Sequence, residues 1–243
     1  MKDEILNQIK SEMRYKQQDE KNLRDAEYFT ALLQKKQSKN TSLREAHSAT
    51  KQSQIDLHAE LTRRLRALSG LPEKVSHENK LPELKKTYDK LDKYISVFPP
   101  TRDPKNIVLI GGAGTGKTHA AQYAGARLLD RGFSVIFTTA FSLVQRFKDY
   151  IFNFEHAALG PLLTCDLLII DDLGTEPKIK NISDEYLLNV INERLANNSP
   201  FLITTNLSPD DILARYDERL TSRILSKQSS VVIEMKGKDL RLN

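Results

Sequence analysis

The chain has 243 residues, with 37 Lys and Arg against 32 Asp and Glu, a net charge of +5 and a pI near 9.1. That length suits one large domain plus a smaller appendage, and the mild basic excess permits an acidic partner such as nucleic acid without requiring one. A lone cysteine, Cys165, excludes an internal disulfide or a four-cysteine zinc site. No apolar run approaches ~18 residues and the polar start Met1-Lys2-Asp3-Glu4 is no signal peptide, so a cytoplasmic protein with no membrane partner is expected.

Residues 1–69 contain neither Pro nor Gly and carry sparse apolar positions. Ile5, Leu6, Ile9 and Met13 share one helical face, and Phe29, Leu32 and Leu33 form a short cluster. Leu57, Leu61, Leu65 and Leu68 then recur at helical spacing, and the last helix is expected to end near Gly70. This apolar content is too thin for an independent core. Residues 1–69 are therefore expected to form a helical arm that docks on another protein, the alternative being a solvated extension. Its fourteen basic and ten acidic residues are interspersed, unlike a polybasic nucleic-acid tail. Residues 70–80 are expected as a linker. Leu81, Leu84, Tyr88, Leu91 and Ile95 mark an amphipathic helix that opens the main domain, expected over 81–243.

Ile107-Val108-Leu109-Ile110 reads as a buried strand, and His119 to Arg131 as a helix. Between them, Gly111-Gly112-Ala113-Gly114-Thr115-Gly116-Lys117-Thr118 fits the P-loop pattern at every fixed position. The glycines let backbone N–H groups turn onto phosphates, and the helix dipole adds positive potential there. Lys117 is expected on the β- and γ-phosphates of ATP, and the Thr118 hydroxyl on Mg²⁺. Ser134 to Thr138 is a second strand, and Phe141 to Phe152 a helix with interleaved aromatic and basic residues.

Asp166 to Asp172 is an apolar strand ending in two carboxylates. Ligands gather at the carboxyl ends of parallel strands, so Asp171 is expected beside Mg²⁺. Asp172 is expected to polarise the attacking water, and its short side chain predicts slow hydrolysis. A helix over 182–196, the strand Phe201 to Thr205, two short helices near 210–216 and 218–226, and the strand Val231 to Glu234 complete the chain. Strands alternating with helices predict an α/β fold with a doubly wound parallel sheet flanked by helices. Asn206, at a strand end, suits a residue that orients the lytic water, or else simply begins a turn. Arg219 and Arg223 share a helix face. Either they pair with surface acids, or one acts in trans on charge developing at a γ-phosphate.

The sequence resembles the DnaC/DnaI-type bacterial replicative helicase loaders, which share the AAA+ core of the IstB-like ATPases. The segments that carry the resemblance are GGAGTGKTHAA, SVIFTTAFSLVQRFK, DLLIIDDLGTE, LLNVINERL, FLITTNLSPDDI, YDERLTSRI and GKDLRLN, spread over residues 80–243. The resemblance implies an AAA+ P-loop NTPase core with a reduced lid and an N-terminal helical extension. It places the arginine finger at Arg223 and the sensor 2 arginine at Arg241. It implies a replicative helicase hexamer as partner of the arm, ATP-dependent self-association and single-stranded DNA as ligand. Some Gram-positive relatives carry a cysteine zinc module in the arm, which this chain lacks. Stacking and phosphate contacts from Phe141, Arg146, Lys148, Tyr150 and Phe152 suit single strands, with Lys178 and Lys180 as further contacts. Ordinary packing with a basic edge is the alternative for that helix. Two other readings share the same core: an IstB-like transposition helper ATPase acting on duplex DNA, and a non-catalytic nucleotide-dependent adaptor.

Overall fold

The computed structural model describes residues 51–75, 84–101, 105–153, 158–237 and 239–240. Most of the expected arm (residues 1–50) and Arg241 lie outside them.

Helix α1 (Lys51–Ser69) and helix α2 (Lys85–Ser96) precede strand β1 (Asn106–Ile110). There follow α3 (Lys117–Asp130), β2 (Val135–Thr139), α4 (Ala140–Phe152), the short α5 (Gly160–Thr164), β3 (Leu167–Leu173) and α6 (Ser183–Ala196). Strand β4 (Phe201–Thr205), α7 (Pro209–Arg215), α8 (Glu218–Leu225) and β5 (Ser230–Glu234) complete the order. The strands form one five-stranded sheet in the order β2-β3-β4-β1-β5. All four pairings are parallel.

Strands β1, β3 and β4 are apolar along most of their length because both sheet faces are covered. Alternate residues feed different layers. Ile107 and Leu109 of β1 face a cluster with Leu91 and Ile95 of α2 and Ala120, Ala124 and Leu128 of α3. Val108 and Ile110 face the other cluster, with Leu143 and Phe147 of α4 and Leu187, Val190 and Ile191 of α6. The run of small residues in α3 lets this helix sit close to the sheet. A Cβ on Gly125 would meet Ile169 and Leu71 side chains at 2.9 and 3.0 Å.

Local caps fix where the helices begin. The Thr139 side chain accepts the Ser142 N–H at the start of α4. Ser208 and Asp211 form a reciprocal capping box on α7, and the Asp217 carboxylate caps α8 by accepting the Leu220 N–H.

The boundary expected near residue 70 runs through packed structure. Leu65 of α1 and Leu71 and Val75 beyond it all belong to the same core cluster as α2 and α3. Arg66 pairs with Asp130 at 3.0 Å, and the ring Nε2 of His58 lies 3.0 Å from the Asp130 carbonyl. The C-terminal half of α1 is thus a layer of the α/β unit. Helix α5 was not foreseen; it sets up an inner clamp. Arg194, fully buried, donates to the carbonyls of Leu162, Cys165 and Pro200. Cys165 is a buried core residue beside it, and burial pushes its thiol pKa up.

Candidate nucleotide-binding site

β1 delivers the chain to Gly111 at the carboxyl edge of the sheet, where the Gly111 N–H still donates to the Thr205 carbonyl of β4. The loop then turns through Gly114 (φ +71°) and Gly116 (φ +87°), in backbone conformations that favour glycine. Gly116 caps α3, so the loop closes directly onto a helix N-terminus. Thr115 Oγ1 braces the loop by donating to the Gly112 carbonyl at 2.9 Å.

Lys117 is 5% exposed. Its ammonium donates to the carbonyls of Gly111 (2.8 Å) and Gly112 (2.7 Å) and to Asn206 Oδ1 (2.7 Å). A lysine at that place sets three N–H donors against a loop of backbone carbonyls, an arrangement that can take phosphate oxygens in their stead. Asn206, at the end of β4, is thereby joined to the P-loop across 89 residues of sequence.

Thr118 Oγ1 donates to Asp171 Oδ2 at 3.1 Å. The other oxygen of Asp171 accepts the Thr204 hydroxyl at 2.6 Å, and that hydroxyl accepts the Asp172 N–H at 2.9 Å. Asp171 is 3% exposed, and burial pushes its pKa up, reinforced by Asp172 and opposed by the hydrogen bonds of Thr204 and Thr118 and the charge of Lys117. A buried carboxylate held by two neutral hydroxyls, with one hydroxyl shared by the P-loop, is a hard-oxygen pair that fits Mg²⁺. Asp172 bends the end of β3 at φ +55°, where the register of β3 against β4 shifts between Ile170 and Leu173. The two carboxylates therefore serve different places: Asp171 stays in the ladder beside Thr139 of β2, and Asp172 begins a turn.

Five neighbours of the loop escaped the sequence reading. Leu84, at the start of α2, lies 3.1 Å from where a Gly116 Cβ would stand, with Leu240 at 3.5 Å and Met235 at 3.9 Å. The Leu240 N–H donates to the Gly114 carbonyl at 3.0 Å, and the Asp239 carboxylate lies against Gly114. Tyr88 of α2 puts its hydroxyl 2.5 Å from His119 Nδ1, on the first turn of α3. The amphipathic spacing of α2 and the GKDLRLN segment were the only signals, and neither says where the segments land.

The remaining candidates sit apart from this cradle. Arg223 of α8 donates to Asn192 of α6 at 3.1 Å, and Arg219 pairs with Asp217 at 2.9 Å. Leu188, Asn192, Arg219, Ser222 and Arg223 line one shallow groove of about 220 Å³. Phe141 and Phe152 are exposed at the two ends of α4, and Arg146 and Lys148 are half-buried between them. Tyr150 turns toward Tyr186, with ring centroids 5.9 Å apart. Lys178 and Lys180 are both exposed, and Lys178 donates to the Arg215 carbonyl and pairs with Asp184 at 3.5 Å.

Parallel sheet order, P-loop, paired strand-end carboxylates and a polar residue closing β4 define a P-loop NTPase fold of the AAA+ class. The chain belongs to the IstB-like ATP binding protein family, whose profile matches residues 26–243. It is 28% identical over 196 residues to the uncharacterised Bacillus subtilis (strain 168) protein YqaM, covering 74% of this chain and 62% of that one. It is 29% identical over 132 residues to the replicative helicase loader DnaC of Escherichia coli (strain K12), covering 53% of each. Over 148 residues it is 31% identical to the insertion sequence IS5376 putative ATP-binding protein of Geobacillus stearothermophilus, covering 57% of this chain and 56% of that one. The chain thus spans little more than half the length of these relatives. Among solved structures, a DnaC helicase loader superposes with TM-score 0.56 at 24% identity, covering 70% of this chain and 99% of that one. DnaI superposes with TM-score 0.58 at 19% identity, covering 72% and 98%. These likenesses are of fold, and the resemblance drawn from the motifs holds at the level of the family.

Proposed function

We propose that this protein is an ATPase that binds a replicative DNA helicase hexamer and helps place it on single-stranded DNA. The observation that supports the ATPase part best is the shared grip on the P-loop: Lys117 bonded to both loop and Asn206, and Thr118 bonded to Asp171. The helicase part rests on the DnaC relative and the DnaI and DnaC folds.

In this reading Lys117 gives up the Gly111 and Gly112 carbonyls to hold the β- and γ-phosphates, while the loop N–H groups and the α3 terminus orient them. Thr118 and Asp171 hold Mg²⁺, which when bound neutralises charge developing on the transferred phosphoryl group. Asp172 and Asn206 position the water. Arg223 lies on α8 rather than in its own cradle, so it acts on the site of a neighbouring copy, with Arg241 assisting from the tail. The short reach of Asp172 makes turnover slow without DNA and helicase, and hydrolysis serves to time release. The N-terminal arm, expected over residues 1–69, supplies the helicase grip.

Size-exclusion chromatography with light scattering tests this, with the chain mixed with the replicative helicase of its source, with and without ATP–Mg²⁺. A helicase hexamer carrying several copies of this chain is the expected result. No complex in either condition, together with ATP-dependent oligomers on duplex DNA, moves the assignment to a transposition helper. The insertion-sequence relative is the observation that favours that second reading.

A further inference from the structure

Glu176 follows β3 by three residues, in a loop, yet it is 4% exposed. Its Oε2 accepts the Gly174 N–H at 2.8 Å. Its Oε1 accepts the Tyr216 hydroxyl in a short bond and an Arg215 N–H at 3.3 Å, and Arg215 also donates to the Glu176 carbonyl. Tyr216 is itself 4% exposed. Burial, with Glu176 next, holds its phenol far above the usual pKa range, so it remains a donor.

The two ends of this cluster touch different parts of the hydrolytic apparatus. On one side is the turn opened by Asp172. Its carbonyl accepts the Thr175 N–H (3.2 Å) and Thr175 Oγ1 (2.8 Å), and the Leu173 carbonyl accepts Thr205 Oγ1 at 2.6 Å. Gly174 turns at φ +106°, and a Cβ there would stand 2.6 Å from Leu207, next to Asn206. On the other side, Tyr216 adjoins Asp217, whose carboxylate caps α8, the helix of Arg219 and Arg223. The turn is therefore clamped between the end of β4 and the start of the arginine helix.

Stability alone does not call for this arrangement. Burying the Glu176 carboxylate costs several kcal/mol before its hydrogen bonds and the partly exposed Arg215 return it, and an apolar cluster of equal volume is often as stable. Arg215 Nε, moreover, is buried without an acceptor among the described residues. What a buried carboxylate with several directional partners supplies better than an apolar cluster is a single allowed geometry.

We propose that Glu176 is a positioning residue that locks the Asp172 turn to α8, so that a change at the nucleotide in one chain resets the arginines that chain offers to its neighbour. This rests on the ATPase reading above. Amide hydrogen exchange over residues 217–225 tests it, with and without ATP, in the wild type, Glu176→Gln and Tyr216→Phe. The last removes one hydroxyl and keeps the ring. All three are expected to bind ATP within about twofold of one another, because no P-loop contact is touched. ATP changes protection of α8 in the wild type and leaves it unchanged in both variants. Stimulated kcat falls about 10–100-fold in the variants with KM unchanged. On an Arg223→Ala background, Glu176→Gln adds less than about twofold, because its effect passes through that arginine. An ATP response of α8 that survives in both variants overturns the proposal. So does a wild type that binds ATP with no response of α8, or a full Glu176→Gln effect without Arg223. A wild type that binds no ATP overturns the ATPase reading, and this proposal with it; nucleotide titration gives that result before any variant is made.

Discussion

The loop Gly111–Thr118 and the turn Asp172–Glu176 stand at the same carboxyl edge of one sheet and are built on opposite plans. The loop is made of contiguous backbone: successive glycines, one lysine and a helix N-terminus, with Thr115 bonded to Gly112 only three residues away. The turn is held by side chains from elsewhere: Thr204 and Thr205 of β4, Leu207 beyond it, and Arg215 and Tyr216 between α7 and α8. A backbone cradle binds whatever phosphate reaches it. A turn gripped by distant side chains reports on where those side chains are. On the function and the positioning role proposed above, the difference separates a binding device from a coupling device within one site.

Substitutions can break that contrast. Lys117→Ala strips the loop of its charge and is expected to weaken ATP binding by about 10³-fold, with turnover lost as a consequence; titration calorimetry showing unchanged affinity would remove the loop from its role. Arg223→Ala belongs to the other side. ATP binding stays within about twofold, while hydrolysis stimulated by DNA and helicase drops by about 10³-fold, read by phosphate release; full activity would end the trans-arginine assignment.

Two glycines sharpen the comparison in stability alone. Gly174→Ala forces a Cβ onto Leu207 at a φ of +106° and should cost about 1–3 kcal/mol in denaturant unfolding. Gly112, where a Cβ meets nothing within 4 Å, should tolerate alanine within about 0.5 kcal/mol. Equal costs would mean that the loop and the turn are held alike.

Asp171 joins the two regions, and its sign is the reverse of the usual carboxylate. Burial raises its pKa above the unfolded value of 3.8, so the ionised form opposes folding. That penalty is absent below the unfolded value and grows as the pH rises through the folded one. Asp171→Asn should therefore raise the Tm of the nucleotide-free protein at neutral pH. The gain should shrink as the pH falls toward 3.8, and hydrolysis should be lost. A Tm that falls at neutral pH would show that the carboxylate stabilises the empty site.

Much of the molecule was legible without coordinates, for a local reason. Strands β1 and β4 are short apolar runs bounded by polar or glycine residues, and a β-branched run between such breaks has few other states available. The P-loop carries its function in backbone conformation, which glycine at 114 and 116 dictates on the spot. Helix α5 was missed because five residues with a proline have too little period to detect. The docking of α1 was missed because Leu65, Leu71 and Val75 straddle the break at Gly70, so no single periodic stretch announces them.

By itself, then, the amino-acid sequence determined the succession of the strands and the longer helices, the phosphate loop and the family, since each resides in residues adjacent along the chain. The tertiary structure alone decided which distant groups meet: Lys117 with Asn206 across 89 positions, Glu176 with Tyr216 across 40, and Arg223 with Asn192 across 31. Parallel strands require crossovers that bring such groups together, and no local pattern encodes which side chains will face each other once the sheet has closed.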